Sequence, residues 1–241
     1  MRIGIVNDMP MAVETLRRAI ALEPGLEVAW TASDGLEAVQ QCARDRPDVV
    51  LMDLIMPVMD GVEATRRIMA ETPCAIVVVT ADVARHTSRV FDAMGHGALD
   101  AADTPVVGSG DMRTAAAALL RKIRNVGWLI GRYGSRPALT PLATPAPQPG
   151  ARRLLVIGAS AGGPATLAQL LRDLPTDFPA GIVLVQHVDA SFAAGMADWL
   201  NDQVSLPVRL VREGERPQPG QILLAGTDDH LHLLDDGTLR Y

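Results

Sequence analysis

The sequence predicts an α/β chain with two parallel sheets, one in each of two domains. Short apolar runs alternate with amphipathic segments of helical length from residue 1 to about 130, and the alternation restarts at Leu154. Strands separated by helix-length segments pair in parallel, with helices packed on both faces of the sheet. The runs Val49-Val50-Leu51-Met52 and Ile76-Val77-Val78-Val79 are apolar without interruption, as strands covered on both faces are. Between the two stretches, Pro137, Pro141, Pro145, Pro147 and Pro149 stand among small and polar residues, a spacing that holds neither a helix nor a central strand. The expected organisation is a first domain over 1–130, a Pro-rich linker over 131–152 and a second domain over 153–241.

In the first domain, strands are expected at Ile3 to Val6, Leu26 to Trp30, Val49 to Met52, Ala75 to Val79 and Ala98 to Ala101. Helical patterns fall between them near Pro10 to Leu22, Gly35 to Asp45, Gly61 to Ala70, Thr87 to Met94 and Asp111 to Ile130. The second domain opens with a strand at Leu154 to Ile157 and a helix at Ala165 to Arg172. A strand at Ile182 to Val185 and a helix at Phe192 to Leu200 follow. Shorter strands are expected at Val208 to Val211, Ile222 to Ala225 and His230 to Leu234.

Composition narrows the function classes. Of 241 residues, 48% are hydrophobic but only 3% aromatic, so the cores are built mainly from Val, Leu, Ile, Ala and Met. The formal net charge of −6 argues against nucleic acid or an anionic membrane as partner, since both demand clustered Lys and Arg. Two cysteines, Cys42 and Cys74, make no disulfide framework and read as buried reduced thiols. The N-terminus runs directly into a strand, and no apolar run reaches membrane-spanning length, so a cytoplasmic protein without membrane insertion is expected.

Chemistry in an open parallel sheet collects at the carboxyl ends of its strands. In the first domain Asn7 and Asp8 follow the first strand, Asp53 the third and Thr80 the fourth. Two carboxylates at Asp8 and Asp53 are costly without a cation, and their hard oxygens suit Mg²⁺. Such an ion neutralises an incoming phosphoryl group and leaves Asp53 as nucleophile, while the Thr80 hydroxyl binds a phosphoryl oxygen. Acids at such positions also serve as ordinary caps. The ordered set Asn7-Asp8, Leu51-Met52-Asp53-Leu54-Ile55-Met56-Pro57, Asp60-Gly61 and Thr80 outweighs that reading.

On those motifs, residues 1 to about 125 resemble a response-regulator receiver domain, which implies a flavodoxin-like (βα)5 fold. The resemblance further implies phosphorylation of Asp53 by a partner CheA-like histidine kinase. It places Mg²⁺ on Asp8, Asp53 and the backbone carbonyl of Ile55, with Asn7 in the outer shell. Receivers usually carry a Lys where this chain has Thr104 before Pro105, and an aromatic switch residue where it has Ala101. The loss of the Lys removes a cationic contact to the phosphoryl group. His86 and His96 are expected to face away from this pocket.

In the second domain, Gly158-Ala159-Ser160-Ala161-Gly162 lies directly behind the run Leu154-Leu155-Val156-Ile157. Strand, sharp turn and a helix from about Pro164 lift a serine hydroxyl to the carboxyl edge of the sheet, and the helix N-terminus supplies donors for a developing oxyanion. The candidate base is His187, which with Gln186 ends the strand Ile182 to Val185. A nucleotide-phosphate loop is the competing reading of the glycines, but Gln186-His187 stands where a ribose-binding acid is expected. His230 and His232 alternate as a metal pair would, yet lack a clear third ligand and are expected to face solvent.

The order of receiver, proline-rich linker, Leu154 to Pro164 and Gln186-His187 resembles the chemotaxis-type protein-glutamate methylesterases (the CheB family), which also deamidate receptor glutamines. The receiver, especially Met1 to Pro10, Met52 to Glu71 and Gly95 to Asp100, is most similar to the WspF branch, which serves a surface-sensing system feeding a diguanylate cyclase. A partial doubly wound α/β methylesterase domain and a methyl-accepting chemoreceptor substrate are implied. Ser160 would attack the γ-glutamyl methyl ester and His187 take its proton. The family completes its triad with an Asp in a downstream Gly-Met-Gly-x-Asp-Gly segment. This sequence has no such segment, so a C-terminally truncated or inactive relative is expected, or alternatively a non-catalytic, receiver-based binding regulator. The apolar end of the last receiver helix, Val126, Trp128, Leu129 and Ile130, is either the inhibitory cover of the active site or part of the receiver's own core.

Overall fold

The computed structural model describes residues 1–81, 83–106, 111–132, 153–188 and 190–241. The chain divides into two compact units, Met1–Ser135 and Arg136–Tyr241. The linker expected over 131–152 lies almost wholly outside the described residues.

The first unit alternates strand and helix: β1 (Arg2–Val6), α1 (Pro10–Ala21), β2 (Glu27–Ala32), α2 (Gly35–Arg44) and β3 (Val49–Met52). It continues with α3 (Gly61–Glu71), β4 (Ala75–Thr80), a 3-10 turn (Ala84–His86), α4 (Thr87–Gly95), β5 (Asp100–Asp103) and α5 (Met112–Leu129). The strands form one parallel sheet in the order β2-β1-β3-β4-β5. Every residue of β3 and β4 is buried, as their apolar runs require. Ile3, Ile5, Leu51, Val77 and Val79 pack with Leu16, Ile20, Leu119 and Ile123 of α1 and α5 in the core on one side of the sheet.

Helix starts follow local capping chemistry. The side chains of Asp34, Asp60 and Asp111 each accept a backbone N–H from three residues on, at Glu37, Glu63 and Thr114. β5 sits two residues later than the apolar pattern predicts. Asp100 and Asp103 are poor strand formers in isolation, but both are satisfied here. Asp100 pairs with Lys122 of α5 at 2.6 Å, and Asp103 accepts the Val83 N–H at 2.9 Å. Val126 is fully buried in the core, whereas Trp128, Leu129 and Ile130 are exposed.

The second unit contains β6 (Leu154–Ala159), α6 (Gly163–Arg172), β7 (Gly181–Gln186), α7 (Ala190–Gln203), β8 (Val208–Leu210) and β9 (Ile222–Leu224). These strands form a parallel sheet in the order β6-β7-β9-β8. β9 and all of β7 except Val185 are buried in its middle, while β6 lies at the edge with Leu155 and Val156 exposed. A two-stranded antiparallel hairpin, β10 (His232–Leu233) with β11 (Leu239–Arg240), ends the unit. The strand expected from His230 is thus only two residues long, and a turn containing Gly237 at φ 80° folds it back onto β11. Among the described residues no group of three or more His, Cys, Asp or Glu is arranged to hold a metal, which leaves His230 and His232 as an exposed pair without a third ligand.

Candidate functional sites

The receiver pocket gathers residues from three strand ends. Asn7 follows β1, Asp53 follows β3 and Thr80 ends β4, and all three are buried, while Asp8 is exposed at the rim. The pairing of β1 with β3, Val6 opposite Met52, brings Asn7 beside Asp53. The Asn7 amide Nδ2 donates to Asp53 Oδ2 at 2.9 Å, and its Oδ1 accepts the Met9 N–H at 2.8 Å. The Leu54 N–H donates to Asp53 Oδ1 at 2.7 Å. The loop then doubles back: the Gly61 N–H donates to the Leu54 carbonyl, and a Cβ on Gly61 would lie 1.9 Å from the Asp53 carbonyl oxygen. Only glycine fits there, which explains Asp60-Gly61 in the motif.

Burial pushes the Asp53 carboxyl above its ordinary value. Hydrogen bonds from the Leu54 and Ile55 N–H groups work against this, the Asp8 charge adds to it and His86 opposes it. A buried carboxylate with an acidic neighbour is a site that a cation relieves, and hard oxygen donors suit Mg²⁺. His86 ends the 3-10 turn that follows β4 and bears on Asp53 only through its charge. Thr104 and Ala101 occupy the expected places around β5, Ala101 buried in the strand and Thr104 half-buried just beyond it.

The second site lies at the carboxyl edge of the other sheet. Ala159 of β6 pairs with Gln186 of β7, so Ser160 and His187 each stand one residue beyond adjacent strand ends. The His187 N–H donates to the Ala159 carbonyl at 2.9 Å. Both side chains are exposed, and among the described residues neither hydrogen-bonds the other, nor does any carboxylate bond the His187 imidazole.

The turn after Ser160 is more ordered than its side chain. The Ser160 carbonyl accepts the Gly163 N–H at 2.7 Å and the Gln186 Nε2 at 2.9 Å. Gly162 caps α6 in the left-handed region, φ 75°, and Pro164 sits in the first turn where its missing N–H costs nothing. A Cβ on Gly163 would strike Gln186 Oε1 at 1.9 Å, whereas one on Gly158 would meet nothing within 4 Å. The backbone requirement for glycine therefore falls on Gly162, while a side chain at Gly163 would displace the Gln186 amide and one at Gly158 would meet nothing. Gln186, read from the sequence only as the neighbour of His187, is buried and pins the Ser160 backbone, and its Oε1 has no partner among the described residues. A buried glutamine directly before a candidate base was the available signal.

The chain joins two units of different class, and each matches a known domain family. Residues 3–106 match the response regulator receiver domain, and residues 155–240 match the CheB methylesterase domain. The group 3 operon protein-glutamate methylesterase/protein-glutamine glutaminase of Pseudomonas putida KT2440 is 64% identical over 242 residues, spanning 100% of this chain and 72% of that protein. Protein-glutamate methylesterase/protein-glutamine glutaminase 3 of Pseudomonas aeruginosa PAO1 is 65% identical, with the same coverage. Among solved structures, the response regulator domain of Thermotoga maritima CheB matches at 33% identity and a TM-score of 0.47, covering 52% of this chain and 95% of that one. The chain belongs to the protein-glutamate methylesterase/protein-glutamine glutaminase family. Its receiver is of the kind that binds Mg²⁺. Among the described residues, no helix is long and apolar enough to cross a membrane.

Proposed function

We propose that this protein is a phosphorylation-regulated protein-glutamate methylesterase and glutamine deamidase acting on methyl-accepting chemoreceptors. The observation that carries this reading is the pairing of one buried acidic pocket around Asp53 with Ser160 and His187 at adjacent strand ends of a second sheet. The relatives named as such enzymes support it across the whole chain. A CheA-like kinase supplies the phosphoryl group, and the resemblance of the receiver to the WspF branch favours a pathway that controls a diguanylate cyclase.

In the receiver, Asp53 takes the phosphoryl group as nucleophile and the Thr80 hydroxyl binds one of its oxygens. Asp8, Asp53 and the Ile55 carbonyl would hold Mg²⁺, which would supply charge neutralisation for the transfer, and Asn7 orients Asp53 through its amide. In the other domain, His187 takes the Ser160 proton as the hydroxyl attacks the γ-glutamyl methyl ester, then returns it to the departing methanol. Water activated by the same imidazole releases the glutamate. The helix α6 N-terminus and the turn that Gln186 pins hold the attacked carbon against donors for the oxyanion.

The exposure of Ser160 and His187, with no carboxylate on the imidazole among the described residues, favours a second reading. In that reading the chain is a receiver-based binding regulator without hydrolysis. Methanol release from a methylated chemoreceptor, by the chain treated with a small-molecule phosphodonor, separates the two. Release that vanishes in Ser160→Ala supports the esterase. Equal release from both proteins would sink the serine assignment, and receptor binding without release establishes the regulator.

A further inference from the structure

The loop that leads from Asp53 into α3 carries an unusual backbone conformation. Among the described residues other than glycine, Val58 alone has a positive φ, 64°. A β-branched residue in that region is an outlier, because its Cβ crowds the neighbouring carbonyl. The Met59 N–H donates to the Pro57 carbonyl at 2.7 Å, so Val58 is the centre of a three-residue turn of the rarer, strained hand. Packing does little to offset the cost, since Val58 is 79% exposed. The strain persists because the loop is closed on both sides. The Gly61 N–H donates to the Leu54 carbonyl at 3.0 Å, and the Met59 carbonyl accepts the Gly35 N–H at the start of α2, also at 3.0 Å. A Cβ on Gly35 would lie 2.7 Å from that Met59 oxygen. At its start the loop is tied to the site itself, through the Leu54 N–H on the Asp53 carboxylate.

Strain of this kind survives where the surroundings over-determine a residue, and it gathers at functional sites. Ile55 lies between the Leu54 and Met59 closures. On the reading that Asp8, Asp53 and the Ile55 carbonyl hold Mg²⁺, we propose that the strained turn at Val58 is a positioning element that fixes this carbonyl as a ligand. A carboxylate adapts to an ion by rotating its side chain, whereas a carbonyl adapts only when the backbone moves. A negative φ at residue 58 would send the following chain in another direction. The Met59 carbonyl would leave Gly35, and the segment that contains Ile55 would lose one of its two closures. Holding the turn in advance spares the ion the cost of ordering that backbone. Val58 itself touches neither the ion nor Asp53; it acts through the path of the loop.

The test is calorimetric titration of the 241-residue chain with Mg²⁺ alone, beside melting temperatures for each variant. Val58→Pro fixes φ near −65° and so forbids the turn; it should weaken Mg²⁺ binding by about tenfold or more. Val58→Asn tolerates the positive φ and is the conservative rescue. It should bind Mg²⁺ within about twofold of the parent and melt a few degrees higher, as relieved strain requires. Gly35→Ala pushes on the Met59 carbonyl from α2, leaves residue 58 unchanged, and should weaken Mg²⁺ binding in the same sense as Val58→Pro. With a small-molecule phosphodonor, the folded weak binders should need more Mg²⁺ for half-maximal phosphorylation yet approach the parental rate at saturation. Parental Mg²⁺ affinity in Val58→Pro or in Gly35→Ala would overturn the proposal alone. Unfolding of both would make the turn a folding element and overturn it as well. No Mg²⁺ binding by the unsubstituted chain would overturn the reading of the pocket and the proposal with it.

Discussion

The two candidate sites stand at the same kind of address, the carboxyl edge of a parallel sheet, but are built to different degrees. Around Asp53 the side chains are interlocked: Asn7 and two backbone N–H groups bond the carboxylate, and Asn7, Asp53 and Thr80 are buried. Around Ser160 the backbone is fixed while the reacting side chains are exposed. Gln186 and Gly163 hold the Ser160 carbonyl, and the Ala159 carbonyl holds the His187 N–H, yet neither the hydroxyl nor the imidazole has a partner among the described residues. A site that takes up a small phosphoryl group can be assembled in advance within one sheet edge. A serine hydrolase site must also orient its base, and an imidazole without a carboxylate lacks that support.

The comparison breaks most visibly at the nucleophiles. Asp53→Asn should abolish phosphoryl uptake from a small-molecule donor, read as loss of the aspartyl-phosphate in intact-mass spectra, with Mg²⁺ required for the unsubstituted protein. Persistent acid-labile phosphate on the variant would move the acceptor elsewhere. Ser160→Ala should lower methanol release by roughly 10⁴- to 10⁶-fold where the full enzyme turns over, since removing a serine nucleophile costs that much in triad hydrolases. A loss below tenfold would mean that another group attacks the ester.

Gln186 sharpens the comparison, because it tests whether a fixed backbone matters when the side chains are free. Gln186→Met keeps volume, removes the 2.9 Å bond to the Ser160 carbonyl and also removes the unpartnered Oε1. A lost hydrogen bond and a relieved orphan nearly cancel in stability, each being worth about 1 kcal/mol. The variant should therefore melt within about 4 °C of the parent while its kcat falls about tenfold. A large drop in melting temperature with unchanged kcat would make Gln186 a packing residue only.

Much of this was legible in the sequence, and the reasons are local. Unbroken apolar runs identified β3 and β4, and strand-end placement singled out Asn7, Asp53 and Thr80, which the register brings together. Ser160 and His187 were legible in the same way, as residues after strands whose pairing puts their backbones side by side. What escaped depends on contacts between distant segments. β5 accommodates Asp100 and Asp103 because α5 and the segment after β4 satisfy them. A side chain at Gly163, unlike one at Gly158, would have to displace the Gln186 amide, a contact that comes from another strand.

The smallest expected effect is also the most direct measure of how far the receiver pocket is built in advance. Burial raises the Asp53 carboxyl, so the folded state holds that proton more tightly than the unfolded chain does. The stabilisation this gives is complete below the ordinary carboxylate value and is lost as pH rises through the raised value in the fold. In the presence of a chelator, the receiver should accordingly lose melting temperature as pH climbs from the acid side to neutrality. Asp53→Asn has no carboxyl to ionise and should lack that part of the slope, whatever constant offset the amide introduces. Adding Mg²⁺ at neutral pH should restore the unsubstituted protein and leave the variant nearly unmoved. Parallel pH profiles for the two proteins would mean that Asp53 is solvated like a surface acid, and the contrast between the buried acidic pocket and the open serine site would dissolve.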